Sequence, residues 1–293
     1  MISAIDVTKP IAGTPTTQSV RDNFAIAKSE ISALQTSVAS LVGAGKNALI
    51  NPNFTINQRA VSGTVTLAAG IYGHDRWKAG ASGCTYTFAS SMGITTLTIT
   101  AGSLLQIIEG NNLPLGTVTC VLSWTGTAQG RYGVGSWGNS GTTAVTAGGS
   151  NLTVEFGTGT LSMVQLEKGS IATLYEQRPY MLELALCRYY YEAIVSMALY
   201  SPGGNGVVQG ATAAGIIINH AVKRTSVTVA LSSGWSIYDG VALLAVTSIS
   251  SQSAGLSSTY LVLATASGLT AGRDTILLSD ATVGRTITIN AEL

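Results

Sequence analysis

A seam of apolar residues near the start of the chain recurs at alternating intervals of four and three positions. This heptad spacing predicts a helix that packs against copies of itself, because a period of about 3.5 residues stays on one face only in a supercoil. The alternative is a single amphipathic helix packed on the chain's own globular domain. Thr17 or Ser19 can cap the helix, and Gly43 and Gly45 can end it. The seam consists of Val20, Phe24, Ala27, Ile31, Leu34, Val38 and Leu41.

Beyond Lys46 the pattern changes to short runs of alternating apolar and polar residues, separated by Gly, Asn and Ser. Such strands predict a sandwich or jelly roll, followed by a second β domain. Residues 181–192 interrupt them and fit either one or two helical turns or an aromatic-rich strand. We interpret residues 133–141 and 201–206 as exposed loops. The predicted strands are 64–67, 85–88, 96–100, 118–122, 152–156, 163–166, 207–209, 215–219, 226–231, 241–249, 260–264, 275–278 and 285–290.

These patterns divide the chain into four parts. Residues 1–15 contain Pro10, Gly13 and Pro15 and read as an extended arm, either a frayed terminus or a peptide that docks to a partner. Residues 16–45 form the predicted coiled-coil helix, residues 46–180 a β-sandwich and residues 181–293 a C-terminal β domain. The predicted fold class is therefore mainly β with an N-terminal coiled-coil helix.

Composition and charge narrow the function classes. Only 10% of residues are charged and the net charge is +1, so the basic face that nucleic acid binding requires is not predicted. A cleaved secretory leader is not predicted from the first residues of the sequence, and no apolar run approaches the length of a membrane helix. Cys84, Cys120 and Cys187 lack zinc or disulfide spacing, and we interpret them as small buried apolar residues.

Three blocks of sequence resemble tail-fibre and other virion proteins of tailed bacteriophages. The first is PTTQSVRDNFAIAKSEISAL, ending at Leu34; the second is NALINPNFTINQRA from Asn47, followed by GIYGHDRWKAG; the third is VQLEKGSIATLYEQRP from Val164, continuing to CRYY at Tyr190. The second and third are similar to the start and end of a phage β-sandwich related to carbohydrate-binding modules. Pro52, Leu174 and Tyr175 depart from that pattern at positions of turn geometry and packing.

The resemblance implies a homotrimeric fibre, located in the virion, whose N-terminal arm docks to other tail or portal-proximal proteins. It implies a structural role and host attachment. It says little about residues 201–293, where such proteins diverge. The alternatives are a head fibre or decoration protein of the capsid and a capsule-degrading tailspike enzyme.

The residues of these blocks also have physical interpretations. Phe54 and Ile56 alternate with polar neighbours, which predicts a strand with one buried face. Asp75 and Arg76 are predicted to form an ion pair beside the large ring of Trp77. A second charge cluster is predicted at the edge of the sandwich from Glu167, Glu176 and Arg178.

Catalytic patterns are weak, and no enzyme is predicted. Glycoside hydrolysis requires two carboxylates at a defined separation in a cleft, and a Ser-His-Asp site would need His74 or His220 without a G-x-S-x-G turn. No cofactor is predicted, although the sandwich leaves room for a structural calcium ion. The candidate acids are Asp75, Glu109, Glu155, Glu167 and Glu176.

The sequence favours binding of a host surface polysaccharide over catalysis, because an aromatic face with neighbouring amides suits a sugar. The alternative for each ring is packing in the core or in the trimer interface. The candidate residues are Tyr132, Trp137 and Asn139 in the first β domain and Trp235 and Tyr238 in the second.

Overall fold

The computed structural model describes residues 17–41 and 46–293, with side chains in the first segment described for Gln18 and residues 20–32. The predicted docking arm, residues 1–15, lies outside the described residues, as do Gly43 and Gly45. Strands hold 48% of the residues and helices 10%, which confirms the mainly β class. The strands form several sheets and one closed barrel.

Helix α1 spans Thr17–Leu41, where the heptad pattern predicts a helix. Its seam residues Phe24 and Ile31 are 72% and 55% exposed, so the chain's own β domains do not cover them. The structure describes one chain and does not support a coiled coil, which stays a prediction. The seam side chains outside the described set are those of Leu34, Val38 and Leu41.

The eight strands of the first β domain are linked around a single core. Strand β8 joins two parts of this sheet, because its residues 159–161 pair with β3 and its residues 162–168 pair with β4. The strand order is β1-β2-β3-β8-β4-β6. The long strand β3 pairs with β8 along one part of its length and with β7 along another, and β7 pairs in turn with β5. All six strands predicted here are present, and β2 and β3 are much longer than predicted. The strands are β1 Val65–Leu67, β2 Lys78–Ser91, β3 Ile94–Ile108, β4 Thr117–Thr125, β5 Gly130–Tyr132, β6 Thr142–Ala147, β7 Leu152–Phe156 and β8 Gly159–Lys168.

The segment around Phe54 is not the predicted strand. Phe54 and Ile56 are buried as expected, but they belong to a loop in which Phe54 has a left-handed backbone with φ 52°. The Phe54 ring packs on Trp77, with 4.9 Å between ring centroids. Burial here is therefore achieved by a folded loop, which the alternation of apolar and polar residues does not distinguish from a strand.

Helix α2, Tyr180–Arg188, connects the two β regions, and β9, Tyr191–Val195, follows it. Residues 181–192 thus contain both a helix and the start of a strand, which the sequence presented as alternatives. The predicted domain boundary lies at the first residue of this helix. The three-stranded sheet β12-β17-β9 includes the strands β12 Thr228–Leu231 and β17 Thr286–Asn290.

The remaining six strands form a closed barrel in the order β10-β11-β15-β14-β13-β16. Inward side chains such as Ile216, Ile237, Leu263 and Leu277 are fully buried and form its core. Closure joins every strand to two neighbours, which removes unpaired sheet edges over most of the barrel. The strands are β10 Pro202–Gly210, β11 Ala213–Asn219, β13 Trp235–Tyr238, β14 Leu243–Ala254, β15 Ser258–Thr265 and β16 Asp274–Ser279.

The predicted loop at residues 201–206 lies largely within β10, so that prediction is wrong. The glycines of this segment do not form a turn; they allow neighbouring side chains and backbone to pack closely against the strand. A Cβ on Gly203 would lie 2.6 Å from the Trp235 ring, and a Cβ on Gly206 would overlap the Gly215 carbonyl oxygen. Glycine in a strand can mark such close packing.

Candidate functional site

The second and third sequence blocks meet around a tight loop that begins at Asn51. This residue has a left-handed backbone, φ 53°, which Asn adopts more readily than most residues. Its side-chain amide donates to the carbonyl oxygens of Ile56 and Asp75 at 2.8 and 3.0 Å, and its Oδ1 accepts from the Ile56 amide at 3.0 Å. The Trp77 indole donates to the Asn51 carbonyl oxygen at 2.8 Å. One buried Asn therefore fixes the loop and ties it to the segment before β2.

The third block closes over this loop. The Glu183 carboxylate of α2 accepts a hydrogen bond from the backbone N–H of Asn51 at 2.5 Å. Arg178 Nε lies 3.1 Å from the same carboxylate. Arg178 also donates to the Leu49 carbonyl oxygen. Burial raises the pKa of Glu183, and the Arg178 charge opposes this rise. We call this group the closure cluster; it consists of Asn51, Trp77, Arg178 and Glu183.

The predicted charge cluster of Glu167, Glu176 and Arg178 needs correction. Arg178 pairs with Glu183. Glu176 accepts from the Asn47 amide at 2.7 Å, and Glu167 accepts from the Thr173 amide at 2.8 Å. Backbone donors thus bind both acids, which holds the segment after β8 against the start of the domain.

The predicted ion pair between Asp75 and Arg76 does not form, because each pairs elsewhere. Arg76 pairs with Glu292, and its guanidinium lies 3.5 Å from the centre of the Tyr190 ring. Arg59 lies 3.3 Å from the Asp75 carboxylate, 3.2 Å from that of Glu292 and 3.7 Å from the centre of the Tyr191 ring. No local pattern points to Glu292 as the partner, because it is 216 residues from Arg76. The junction cluster consists of Arg59, Asp75, Arg76, Tyr190, Tyr191 and Glu292.

Two further ion pairs flank the junction cluster. The fully buried Lys223 ammonium lies 2.7 Å from Glu192 and also donates to the Arg188 carbonyl oxygen. Arg224 lies 2.8 Å from Glu109, which also accepts from the Tyr190 hydroxyl at 2.7 Å. Burial raises the pKa of Glu109, but the hydrogen bonds from Tyr190 and Arg224 outweigh it and lower the pKa overall. The junction therefore joins the first β domain to the C-terminal region through charged groups.

The glycan-binding candidates of the first β domain lie at the end of β5 and in the loop that follows it. Trp137 is 39% exposed, and the Arg131 guanidinium lies 4.3 Å from the centre of its ring. Glu155 holds Arg131 through two hydrogen bonds of 2.9 and 2.6 Å. Tyr132 is half-buried and donates to carbonyl oxygens at 3.2 Å, while Asn139 is exposed. Trp137 and Asn139 are accessible to a ligand, whereas the Tyr132 hydroxyl serves the fold.

The two candidates of the C-terminal region separate. Trp235 is buried in the hydrophobic core of the C-terminal region, and its indole donates to the Thr286 carbonyl oxygen at 3.2 Å. It therefore offers no face to a sugar and follows the alternative of core packing. Tyr238 is exposed on the outside of the barrel, and its hydroxyl donates to the Gly240 carbonyl oxygen at 3.1 Å.

The acids considered for glycoside hydrolysis all have partners in the fold. Asp75 is bound by Arg59 and Gln58, and burial raises its pKa to about 6 against the opposing charge of Arg59. Glu155 is bound by Arg131 and by the Ser103 hydroxyl. Glu109 is bound by Arg224 and Tyr190, and the backbone amides of Thr173 and Asn47 bind the two remaining acids, Glu167 and Glu176.

The three cysteines are free and buried, where the sequence predicts them. Burial raises the pKa of Cys84 to about 12 and that of Cys187 well above its ordinary value. Among the described residues, no group of three His, Cys, Asp or Glu side chains is placed to hold a metal ion, and the calcium hypothesis stays untested. No helix in residues 17–41 or 46–293 has both the length and the apolar character to cross a membrane.

No model of a protein family matches the chain, and no curated protein matches it either. The resemblance of the three blocks to phage fibres therefore stays a prediction.

Proposed function

We propose that this protein is a structural component of a bacteriophage virion, a homotrimeric tail fibre that docks by its N-terminal arm and contributes to host-surface attachment. The support from sequence is the resemblance of three blocks in the order found in such fibres. In this proposal residues 1–15 bind the particle, α1 joins the copies and the β domains face outward.

The observation that carries the proposal is the exposure of the α1 seam. Phe24 and Ile31 are large apolar side chains on one helix face, and both are mostly exposed in a single chain. Exposed apolar side chains in helical register are typical of a surface that a second chain covers. The alternative, in which the helix packs on its own domain, would bury these two side chains.

The closure and junction clusters support a structural role over a catalytic one. Residues of the second and third blocks, such as Asn51, Arg76 and Arg178, bind backbone carbonyl oxygens and buried carboxylates of the fold. Catalysis instead needs acids that face a substrate cleft. Host attachment would use exposed groups such as Trp137 and Asn139, and three weak sites on one fibre would raise avidity.

The test is the mass of the full chain by light scattering, with wild type expected at three times the 30.0 kDa of one chain. The double variant Phe24→Ser/Ile31→Ser should lower this mass at low micromolar concentration, because it makes the seam polar. Lys28→Ser, an exposed position off the seam, is the matched control and should leave the mass unchanged. A wild-type monomer would overturn the fibre. Antibody labelling of purified particles then distinguishes a tail fibre from a head fibre.

A further inference from the structure

A small pocket opens where the second and third sequence blocks meet, beside the closure cluster. Its walls come from the loop after Asn51, from the turn between β2 and β3, and from the segment that leads into α2. Its volume is about 220 Å³, which is below the lower limit of about 300 Å³ for sites of drug-sized ligands. The pocket therefore has room for one small ring and not for a longer chain. We call it the loop pocket; its polar lining includes Asn53, Thr55, Tyr175, Gln177, Arg178 and Tyr180.

The most deeply buried of these side chains has an acceptor that the fold does not use. Asn53 is 8% exposed, and its Nδ2 donates to the Gly93 carbonyl oxygen at 2.9 Å. That carbonyl oxygen can only accept, so it determines which end of the Asn53 amide points away from it. Asn53 Oδ1 is buried, and no donor of the described residues reaches it. Because a buried acceptor without a donor costs free energy, the pocket favours a ligand that brings an N–H or O–H group.

Four further polar groups on the pocket walls are also unused by the fold. Among the residues that the structure describes, none forms a hydrogen bond with the hydroxyl groups of Thr55 and Tyr175. The same holds for the Gln177 amide and the Tyr180 hydroxyl. In the closure cluster, by contrast, the backbone occupies the Asn51 side chain. Hydroxyl and amide groups that surround one pocket suit a ligand with several hydroxyl groups of its own.

The charge and the rings of the pocket narrow the ligand further. Arg178 Nε lies 3.1 Å from the Glu183 carboxylate, so the two charged side chains of the lining neutralise each other. A phosphate, a carboxylate or a metal cation would therefore be desolvated without a counter-charge. Tyr175 is half-buried and Tyr180 is 58% exposed, and each offers an apolar ring with a polar tip. A neutral ring with C–H groups on its faces and hydroxyl groups at its edge matches both properties.

We infer that the loop pocket binds one neutral sugar unit, with a sugar hydroxyl donating to Asn53 Oδ1 and the sugar ring lying against Tyr180. The site is distinct from Trp137 and Asn139, neither of which lines it. The choice of a sugar among neutral hydroxyl compounds rests on the proposed function, because attachment to a host-surface polysaccharide brings sugars to the fibre. A pocket of this size takes a terminal or branching unit of such a chain.

The test is saturation-transfer NMR on the full chain, with D-glucose, D-galactose and D-mannose as probes. We expect at least one probe to bind. Tyr180→Ala should raise its dissociation constant about tenfold, because it removes the ring on which the sugar lies. Tyr175→Phe removes only a hydroxyl group and should raise the constant about threefold. Tyr200→Ala is the matched control and should leave it unchanged, since Tyr200 is 50% exposed but belongs to the C-terminal region.

Trp137→Ala separates this inference from the proposed function, and circular dichroism checks that each variant is folded. Binding that persists in Trp137→Ala and is weakened in Tyr180→Ala would support the loop pocket. Binding that is lost in Trp137→Ala and unchanged in Tyr180→Ala would overturn the loop pocket and leave host attachment intact. A lack of response to all three probes would also overturn it, while the mass of the chain and the labelling of particles still decide the proposed function.

Discussion

In the first β domain charged and amide side chains lie inside the fold, whereas the barrel strands bury only hydroxyl groups among their apolar side chains. Asn51, Arg76 and Glu167 are nearly inaccessible in the first region. In the described strands of the barrel the buried polar residues are Thr and Ser, such as Thr259 and Thr275. One region is thus held by specific partners, and the other by apolar volume and close backbone packing.

This difference has consequences for the sequence. A buried charge is tolerated only when it has a partner with good geometry, so each such residue requires another at a fixed place in the fold. Apolar interiors accept many combinations of similar volume. The specific residue patterns therefore lie before β2 and after β8, where the closure cluster forms. The barrel strands show only the alternation of apolar and polar residues, together with glycines.

The largest effect should come from breaking the junction cluster. Arg76→Met should lower the free energy of unfolding by about 3–5 kcal/mol, because it leaves the Glu292 carboxylate buried with a weaker partner set. Methionine keeps much of the volume beside Tyr190, so the loss reports the charge. The measurement is urea denaturation followed by tryptophan fluorescence and circular dichroism.

Arg285→Met is the control for this change. Arg285 pairs with Asp280 at 2.6 Å in the C-terminal region, but both side chains are partly exposed. Water can replace that partner, so its variant should unfold close to wild type. Equal losses in the two variants would contradict the contrast between a buried polar junction and an apolar barrel.

A second effect concerns pH, since two neighbouring buried groups have pKa values shifted in opposite directions. Burial lowers the pKa of His74 to about 4 and raises that of Asp75 to about 6. Between pH 4 and 6 the unfolded chain holds more protons at His74, so stability rises with pH. The folded chain holds more protons at Asp75, so stability falls with pH over the same window. The two slopes oppose each other in wild type.

Single substitutions should separate the two slopes. Asp75→Asn removes the falling component, so its stability should rise by about 3 kcal/mol more than that of wild type between pH 4 and 6. His74→Gln removes the rising component and should fall by a similar amount relative to wild type. Urea midpoints at several pH values measure both. Parallel profiles for wild type and Asp75→Asn would contradict the assignment.

The sequence predicts the strands of both regions better than their polar contacts. β7 was predicted with the observed bounds, because alternation within five residues is a local signal. The seam of α1 and the burial of the cysteines were also visible locally. The sequence predicts only the end of β10, residues 207–209, as a strand. Its first half resembles a turn because of its glycines, although these serve the approach of Trp235 and of the backbone of β11.

The clusters could not be predicted because their members are distant in sequence. Arg76 has an adjacent acid in Asp75, and a single sequence favours that pair over Glu292. The fold reverses this choice, because Asp75 is turned toward Gln58 and Arg59 while Arg76 stacks on Tyr190. Local patterns identify which residues need a partner, and only the tertiary structure identifies the partner.

The smallest effect concerns the three-stranded sheet, whose two outer edges each bind the side-chain amide of a glutamine. Gln58 donates to the Tyr191 carbonyl oxygen at 2.9 Å and accepts from the Ala193 amide at 3.4 Å, on β9. Gln252 donates to the Val227 carbonyl oxygen at 2.8 Å and accepts from the Val229 amide at 3.1 Å, at β12. Each glutamine side chain thus forms the hydrogen bonds that the peptide group of a further strand would form with this edge strand.

The two glutamines bind equivalent backbone groups, so they form a matched pair across the two regions. Gln252→Ala should cost about 1 kcal/mol, because Gln252 is exposed and water can replace its hydrogen bonds. Gln58→Ala should cost about 2 kcal/mol, because Gln58 also donates to the buried Asp75 carboxylate at 3.1 Å. Urea denaturation of both variants measures the difference. Equal losses would mean that the junction cluster adds nothing beyond the edge hydrogen bonds, and that polar contacts count equally in both regions.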